Sequence, residues 1–147
     1  LTDGGTWANN PTAIAVVEAI TLLGWHPSDL RILSLGCLDE VYMVPESPGF
    51  AGLGLKVLNL YADGQSHGAL GMAKLLTGHP YNGDRIYRIL PSVPSGFFTL
   101  DDTTKIGRLK GLGMSEARKA KPHLTPIFFT QPADTFVPVY QLKEKAA

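Results

Sequence analysis

Apolar side chains recur at helical spacing over Ala13, Ile14, Val16, Val17, Ile20 and Leu23, the pattern of a helix that turns one face to a core. Asn10 and Pro11 stand at its start. The Asn10 side chain can cap free N–H groups, and a proline at the first helical position has no N–H to leave unpaired. Gly24 stops the run. Leu30 to Leu35 is a β-rich segment ending at Gly36 and predicts a buried strand. Arg85 to Leu90 alternates and predicts a second strand. Ala69 to Leu76 predicts a helix with Leu70, Ala73 and Leu76 on one side, whereas Phe50 to Leu60 fits helix or strand equally. Residues 37–50, with Pro45, Pro48 and Gly49, and residues 91–98 read as irregular loops. Asp101 or Asp102 is placed to cap a helix, and Ser115 to Lys121 reads as a short helix or the continuation of one. The prolines at 126, 132 and 138 predict an extended tail over 124–147. Leu1 to Gly5 reads as a strand end entering a tight turn. A helix followed by a strand across a short connection implies an α/β fold with parallel strands. Two or three strands are few for a free-standing domain of that class, which favours part of one.

Composition narrows the partners. The 147 residues correspond to one domain or a piece of one. Apolar residues make up 44% of the chain, enough for a core. Thirteen Lys and Arg balance thirteen Asp and Glu, so nucleic acid is not an expected partner, because phosphate binding needs a cationic surplus. A single cysteine, Cys37, excludes an internal disulfide, and four histidines without neighbouring ligands make no zinc cluster. No apolar run is long enough for a membrane span, and the start at Leu1 has no basic region leading an apolar core, so no signal peptide is read. A start other than Met fits a fragment.

The most informative segment is Asp3-Gly4-Gly5-Thr6-Trp7-Ala8-Asn9-Asn10-Pro11-Thr12. A carboxylate at a strand end, followed by two glycines, is a site geometry: the strand holds the acid, and the glycines permit unusual φ and close backbone approach. Turn capping alone would also explain Asp3. The whole string, however, resembles the patatin-like phospholipase family, in which D-G-G/A precedes an A-N-N-P helix start; Asp3, Gly4, Gly5, Ala8, Asn9, Asn10 and Pro11 carry the match. The likeness continues at Leu33-Ser34-Leu35-Gly36, similar to a strand ending L-S-x-G, with Cys37 where a small polar residue is commoner. It continues at Asp63-Gly64-Gln65-Ser66, similar to a D-G-Q-S helix opening, and at Tyr87-Arg88 and Leu100-Asp101-Asp102. It covers most of the chain and is greatest to bacterial members, a group that includes antiphage effectors.

The resemblance implies a three-layer α/β/α sandwich of which residues 1–147 form the C-terminal part. It implies a lipid acyl hydrolase with a Ser–Asp dyad, Asp3 being the base, Gly4 and Gly5 shaping the turn, and Asn10-Pro11 anchoring the helix behind it. No metal and no cofactor is required. An ordinary aspartate, with a pKa of about 3.9, deprotonates a serine only when held within hydrogen-bond reach in a desolvated site. The family's nucleophile lies in G-x-S-x-G ahead of D-G-G, so its partner here would be an upstream part of the same protein. The implied substrate is a lipid ester, a phospholipid at a membrane surface, met by a cytoplasmic protein acting peripherally. Loops 37–50 and 91–99 would then shape the acyl pocket.

Alternatives stay open. Gly64-Gln65-Ser66-His67-Gly68 matches G-x-S-x-G literally, follows an apolar segment and precedes a helical one, so Ser66 could be the nucleophile of an α/β-hydrolase. In the patatin-like reading, Asp63 or Ser66 is instead a helix cap. A degenerate, non-catalytic module that binds lipid or protein is the third possibility. Lys105, Arg108, Lys110, Arg118, Lys119 and Lys121 form a basic run that is either a solvated helix face or attracted to anionic headgroups. The glycine-rich stretches 49–54 and 111–113 complete no nucleotide-binding motif. Trp7 and Trp25 read as core, His26 as loop surface, and Cys37 as a small buried residue near the strand end.

Overall fold

The computed structural model describes residues 3–41, 54, 56–81, 83–99, 102–135 and 137. In chain order the elements are helices α1 (Gly5–Ala8) and α2 (Thr12–Thr21), a 3-10 turn (Pro27–Asp29), strands β1 (Ile32–Leu35) and β2 (Asp39–Val41), helix α3 (Lys56–Leu76), strands β3 (Ile86–Ile89) and β4 (Ser92–Pro94), a second 3-10 turn (Thr103–Lys105) and helix α4 (Ile106–Phe128). The fold class is α/β.

Both strand pairs are parallel. In β1–β3, Ile32 stands opposite Ile86 and Leu35 opposite Ile89. In β2–β4, Asp39 stands opposite Ser92 and Val41 opposite Pro94. The pairs follow one another along the chain. The Gly36 and Asp39 N–H groups donate across the interval to the Ile89 and Pro91 carbonyls, both at 2.9 Å, so the four strands form one interrupted ribbon. Parallel neighbours need a long crossover, and α3 lies within it.

The core forms where α2 packs on α3. Ala13, Val16 and Ala19 meet Ala69 and Ala73, with Leu30 and Ile86 closing the cluster and Ile20, Ile32 and Leu70 packed at its margin. Alanine on both sides of a helix contact lets the axes approach closely. The predicted start and stop of α2 hold in modified form. Its first helical residue is Thr12, with Asn10 Oδ1 accepting the Thr12 N–H at 3.2 Å. Gly24 takes φ 68°, and the Trp25 N–H donates to the Ala19 carbonyl.

Several expectations are corrected. The segment Asp63-Gly64-Gln65-Ser66 opens no helix: α3 starts at Lys56, so Asp63 and Ser66 lie inside it rather than at its start. Residues 39–41 and 92–94 are strand, not loop. Of the two readings of Ser115 to Lys121 the continuation holds: it is the middle of a 23-residue helix, but that helix runs on through Pro122 and Pro126 to Phe128. The expected tail 124–147 therefore loses residues 124–128 to that helix. Leu124 is buried, and the Phe128 ring meets Tyr87 edge-on at 5.5 Å; this packing opposes the helix-breaking tendency of proline. Trp7 and Trp25 are exposed, at 73% and 56%, and Cys37 is exposed rather than buried. The strand end expected at Leu1 and Thr2, the loop expected at 42–50, Leu100-Asp101 and the tail over 138–147 lie outside the described residues.

Candidate functional site

Asp3 precedes α1 and is exposed. Its Oδ1 accepts the Gly5 N–H at 2.7 Å, and its carbonyl accepts the Thr6 hydroxyl at 2.7 Å. The carboxylate thus folds back over the first turn of α1. A Cβ at Gly5 would stand 3.2 Å from Asp3 Oδ1, a close approach that a larger residue would press apart, whereas a Cβ at Gly4 meets nothing within 4 Å. Neither glycine takes a positive φ, so the unusual backbone expected of this pair is not what the turn uses.

Two helical turns on, a polar network ties this segment to the rest of the fold. The Asn10 N–H donates to Gln65 Oε1 at 3.0 Å, and Asn10 Nδ2 donates to the Ser66 carbonyl at 3.1 Å and to Ser66 Oγ at 3.3 Å. Asn10 Oδ1 accepts both the N–H and the hydroxyl of Thr12. Thr12 Oγ1 lies 2.9 Å from Ser34 Oγ. Arg88 Nη1 donates to Ser34 Oγ at 2.7 Å and Nη2 to Ser66 Oγ at 3.3 Å. Asn10, Thr12 and Ser34 are buried.

The proton directions follow from what each group can do. A guanidinium only donates. Thr12 gives its single hydroxyl proton to Asn10, so Ser34 must donate to Thr12 while accepting from Arg88. The chain of donors runs from Arg88 through Ser34 and Thr12 to Asn10. Four separate stretches of sequence meet here: the helix start at Asn10-Pro11-Thr12, the strand Leu33-Ser34-Leu35-Gly36, the helical Gln65-Ser66, and Tyr87-Arg88. A Cβ at Gly36 would press on Leu90 Cδ1 and stand 3.1 Å from Arg88 Nη2, so a larger residue there would require these two side chains to shift. Among the described residues, Arg88 has no carboxylate within salt-bridge distance; neutral hydroxyls take its protons. Sequence reading found each segment but not their convergence, which joins residues 22 to 56 positions apart.

The literal G-x-S-x-G at 64–68 lies wholly within α3. A nucleophile elbow needs a strand, a sharp turn and a helix, so this context is wrong for one. Ser66 Oγ also receives two donors, Asn10 and Arg88, whereas an activated nucleophile needs a base to take its proton. His67 Nδ1 instead meets the Asp63 carbonyl of the preceding turn at 2.9 Å.

A cleft opens beyond the carboxyl end of β1, the kind of place where open α/β sheets hold ligands. One part, about 320 Å³, is lined by Cys37, Leu38, Phe98, Thr99, Ile106 and Leu109, with Glu40, Asp102 and Lys105 supplying charge. An adjoining depression shares Cys37, Leu38, Glu40, Phe98 and Thr99 and reaches Asn59, Ala62 and Asp63 of α3. Residues 37–40 and 95–99 therefore face one another across it. At its rim Asp102 Oδ1 accepts the Thr104 N–H at 3.0 Å and the Thr104 hydroxyl, and Lys105 Nζ lies 3.4 Å from Oδ2. The Thr104 hydroxyl bond is the main cause holding the Asp102 carboxyl below its usual range, with the Thr104 N–H and Lys105 adding to it against some desolvation. Among the described residues, no group of three or more His, Cys, Asp or Glu is arranged to hold a metal ion. No described helix is long and apolar enough to cross a membrane. The chain matches no family model, no curated protein and no solved structure.

Proposed function

We propose that this chain supplies the aspartate of a patatin-like lipid acyl hydrolase working through a Ser–Asp dyad. The observation that carries the reading is the ten-residue string Asp3–Thr12, whose Asn10 and Thr12 are locked by hydrogen bonds to Ser34, Gln65 and Ser66. The segments on which the family resemblance rests thus serve one purpose: they fix the helix that follows the acid. The corresponding architecture is the three-layer α/β/α sandwich, with the parallel ribbon as part of its central sheet and residues 1–147 as its C-terminal portion.

In this mechanism a serine from an upstream part of the same protein approaches the exposed Asp3 carboxylate, whose Oδ1 is oriented by the Gly5 N–H. The approaching segment also excludes water, which a carboxylate base needs if it is to take a hydroxyl proton. Asp3 accepts that proton as the serine oxygen bonds to the ester carbonyl carbon. The proton passes to the departing alkoxide as the ester C–O bond breaks, leaving an acyl-serine. Water then adds to the acyl carbon, gives a proton to Asp3, and the serine recovers it as the fatty acid leaves. The cleft lined by Leu38, Phe98, Ile106 and Leu109 is where the acyl chain would lie.

The test uses the intact protein. A fluorophosphonate probe is expected to label it, and Asp3→Asn is expected to abolish ester turnover while leaving the thermal melt within a few degrees. Retained turnover in Asp3→Asn rejects the dyad. The second reading, a non-catalytic lipid- or protein-binding module, is favoured by the local bonds that engage Asp3 within its own turn; absence of both labelling and turnover selects it.

A further inference from the structure

The charge of this chain is segregated. Helix α4 carries Arg108, Lys110, Arg118, Lys119 and Lys121 against the single acid Glu116, a formal +4 on a chain whose net charge is zero, which leaves −4 for the remainder. All five basic residues are exposed. Lys119 is paired with Glu116 at 2.6 Å. Among the described residues, Arg108, Lys110, Arg118 and Lys121 have no carboxylate within salt-bridge distance.

The placement on the helix is ordered. At 100° per residue, Lys110, Met114, Arg118 and Lys121 share an arc of about 80°. The opposite side carries the half-buried Leu109, Leu112, Glu116 and Ala120, and the buried Leu124 lies between the two sides. Met114 is 50% exposed in the middle of the basic arc, and Ile106 is 57% exposed at the helix start. The inner face of the same helix lines the cleft through Ile106 and Leu109. A cationic strip holding an exposed thioether, about 16 Å long from Lys110 to Lys121, fits a surface that is anionic outside and apolar just beneath. Nucleic acid would call for stacking aromatics beside the cations, and the outer arc holds none.

We infer that the outer face of α4 docks the protein onto an anionic lipid surface. This rests on the acyl-hydrolase reading only for what the docking serves; the binding itself is independent of turnover. Each basic side chain near such a surface contributes roughly a fivefold gain in partitioning.

The experiment is flotation of the 147-residue chain with vesicles of phosphatidylcholine, with and without phosphatidylserine. Binding is expected only when phosphatidylserine is present, and it is expected to fall as salt is raised. Lys110→Gln should weaken it about fivefold, and Lys110→Glu with Arg118→Glu and Lys121→Glu should weaken it at least about a hundredfold. Should the triple variant lose its circular dichroism melt, the single variant and the salt titration of the unaltered chain decide. Equal binding to both vesicle types, no binding to either, or displacement by inorganic phosphate or single-stranded RNA at matched charge would overturn the inference. Turnover of a short, water-soluble ester by the intact protein separates the two ideas: the triple variant should keep it, and Asp3→Asn should lose it.

Discussion

Arg88 organises the centre of the molecule. Its guanidinium is half-buried and donates to two serines on different elements, Ser34 at 2.7 Å and Ser66 at 3.3 Å. Thr12 gives its one hydroxyl proton to Asn10 Oδ1, so Ser34 donates to Thr12 and accepts from the guanidinium, which can only donate. Removing it leaves buried hydroxyls to find new partners, which costs more than the bonds themselves contribute. Arg88→Met is expected to lower the unfolding free energy by about 2 kcal/mol in urea titrations, at unchanged slope. It should also raise hydrogen exchange at the start of α2 ahead of α4. Arg88→Lys should recover part of the loss, because an ammonium cannot span both serines as a planar fork does. Ser66→Ala is the contrasting case: it removes an acceptor and no base, so ester turnover in the intact protein should stay within about twofold, whereas loss of turnover would return Ser66 to the chemistry. At this scale the sequence was readable for identity and silent on assembly. Asn10, Ser34, Ser66 and Arg88 each stand in a recognisable string, yet no string states that an arginine will bridge positions 34 and 66.

Elements were legible where their signals are local. The cap at Asn10, the stop at Gly24 and the two β-rich runs each depend on neighbours in sequence, and each appears within a residue or two of its expected place. Helix α3 was not legible as one piece, because Phe50 to Leu60 fitted a strand as well as a helix and Asp63-Gly64-Gln65-Ser66 was expected to open a new helix. It forms because Ala69 and Ala73 pack against α2, a tertiary gain that outweighs glycine's weak propensity. The same holds for α4, where Pro126 signalled an extended tail but Leu124 and Phe128 found contacts. The entry to α4 gives a pH test. Asp102 is held below the usual carboxylate range, first by the Thr104 hydroxyl, so the folded state favours its ionised form. The stability this contributes is fully present above the unfolded value of about 3.9 and is lost as pH falls through the lower folded value. Thermal melts of the original chain and of Asp102→Ala should therefore differ at neutral pH, with the variant less stable, and should converge in acid. Parallel curves at all pH values would mean the cap contributes no charge-dependent stability.

At the scale of the whole molecule, large apolar side chains stay at the surface among the described residues. Trp7 is 73% exposed, Leu22 76%, and Leu35 69% although it ends a strand. Parallel sheets are ordinarily covered on both faces, and a two-stranded ribbon is short of the strand number that stands alone. The acyl-hydrolase proposal needs the same thing for a different reason: an exposed Asp3 becomes a useful base only when another segment brings a hydroxyl and removes water. Trp7, in α1, lies four residues from Asp3, so its fluorescence reports on the surroundings of the acid. In the 147-residue chain, tryptophan emission should resemble that of indole in water and be strongly quenched by acrylamide, since both tryptophans are exposed. In the intact protein the segment that brings the serine should cover α1, shifting emission to the blue and protecting about half of the signal from the quencher. Trp25→Phe isolates Trp7 for this measurement. If Trp7 stays equally quenchable in the intact protein while ester turnover is present, then α1 is not covered beside the site, and the desolvation that the Asp3 dyad requires must be supplied from the opposite side of the carboxylate.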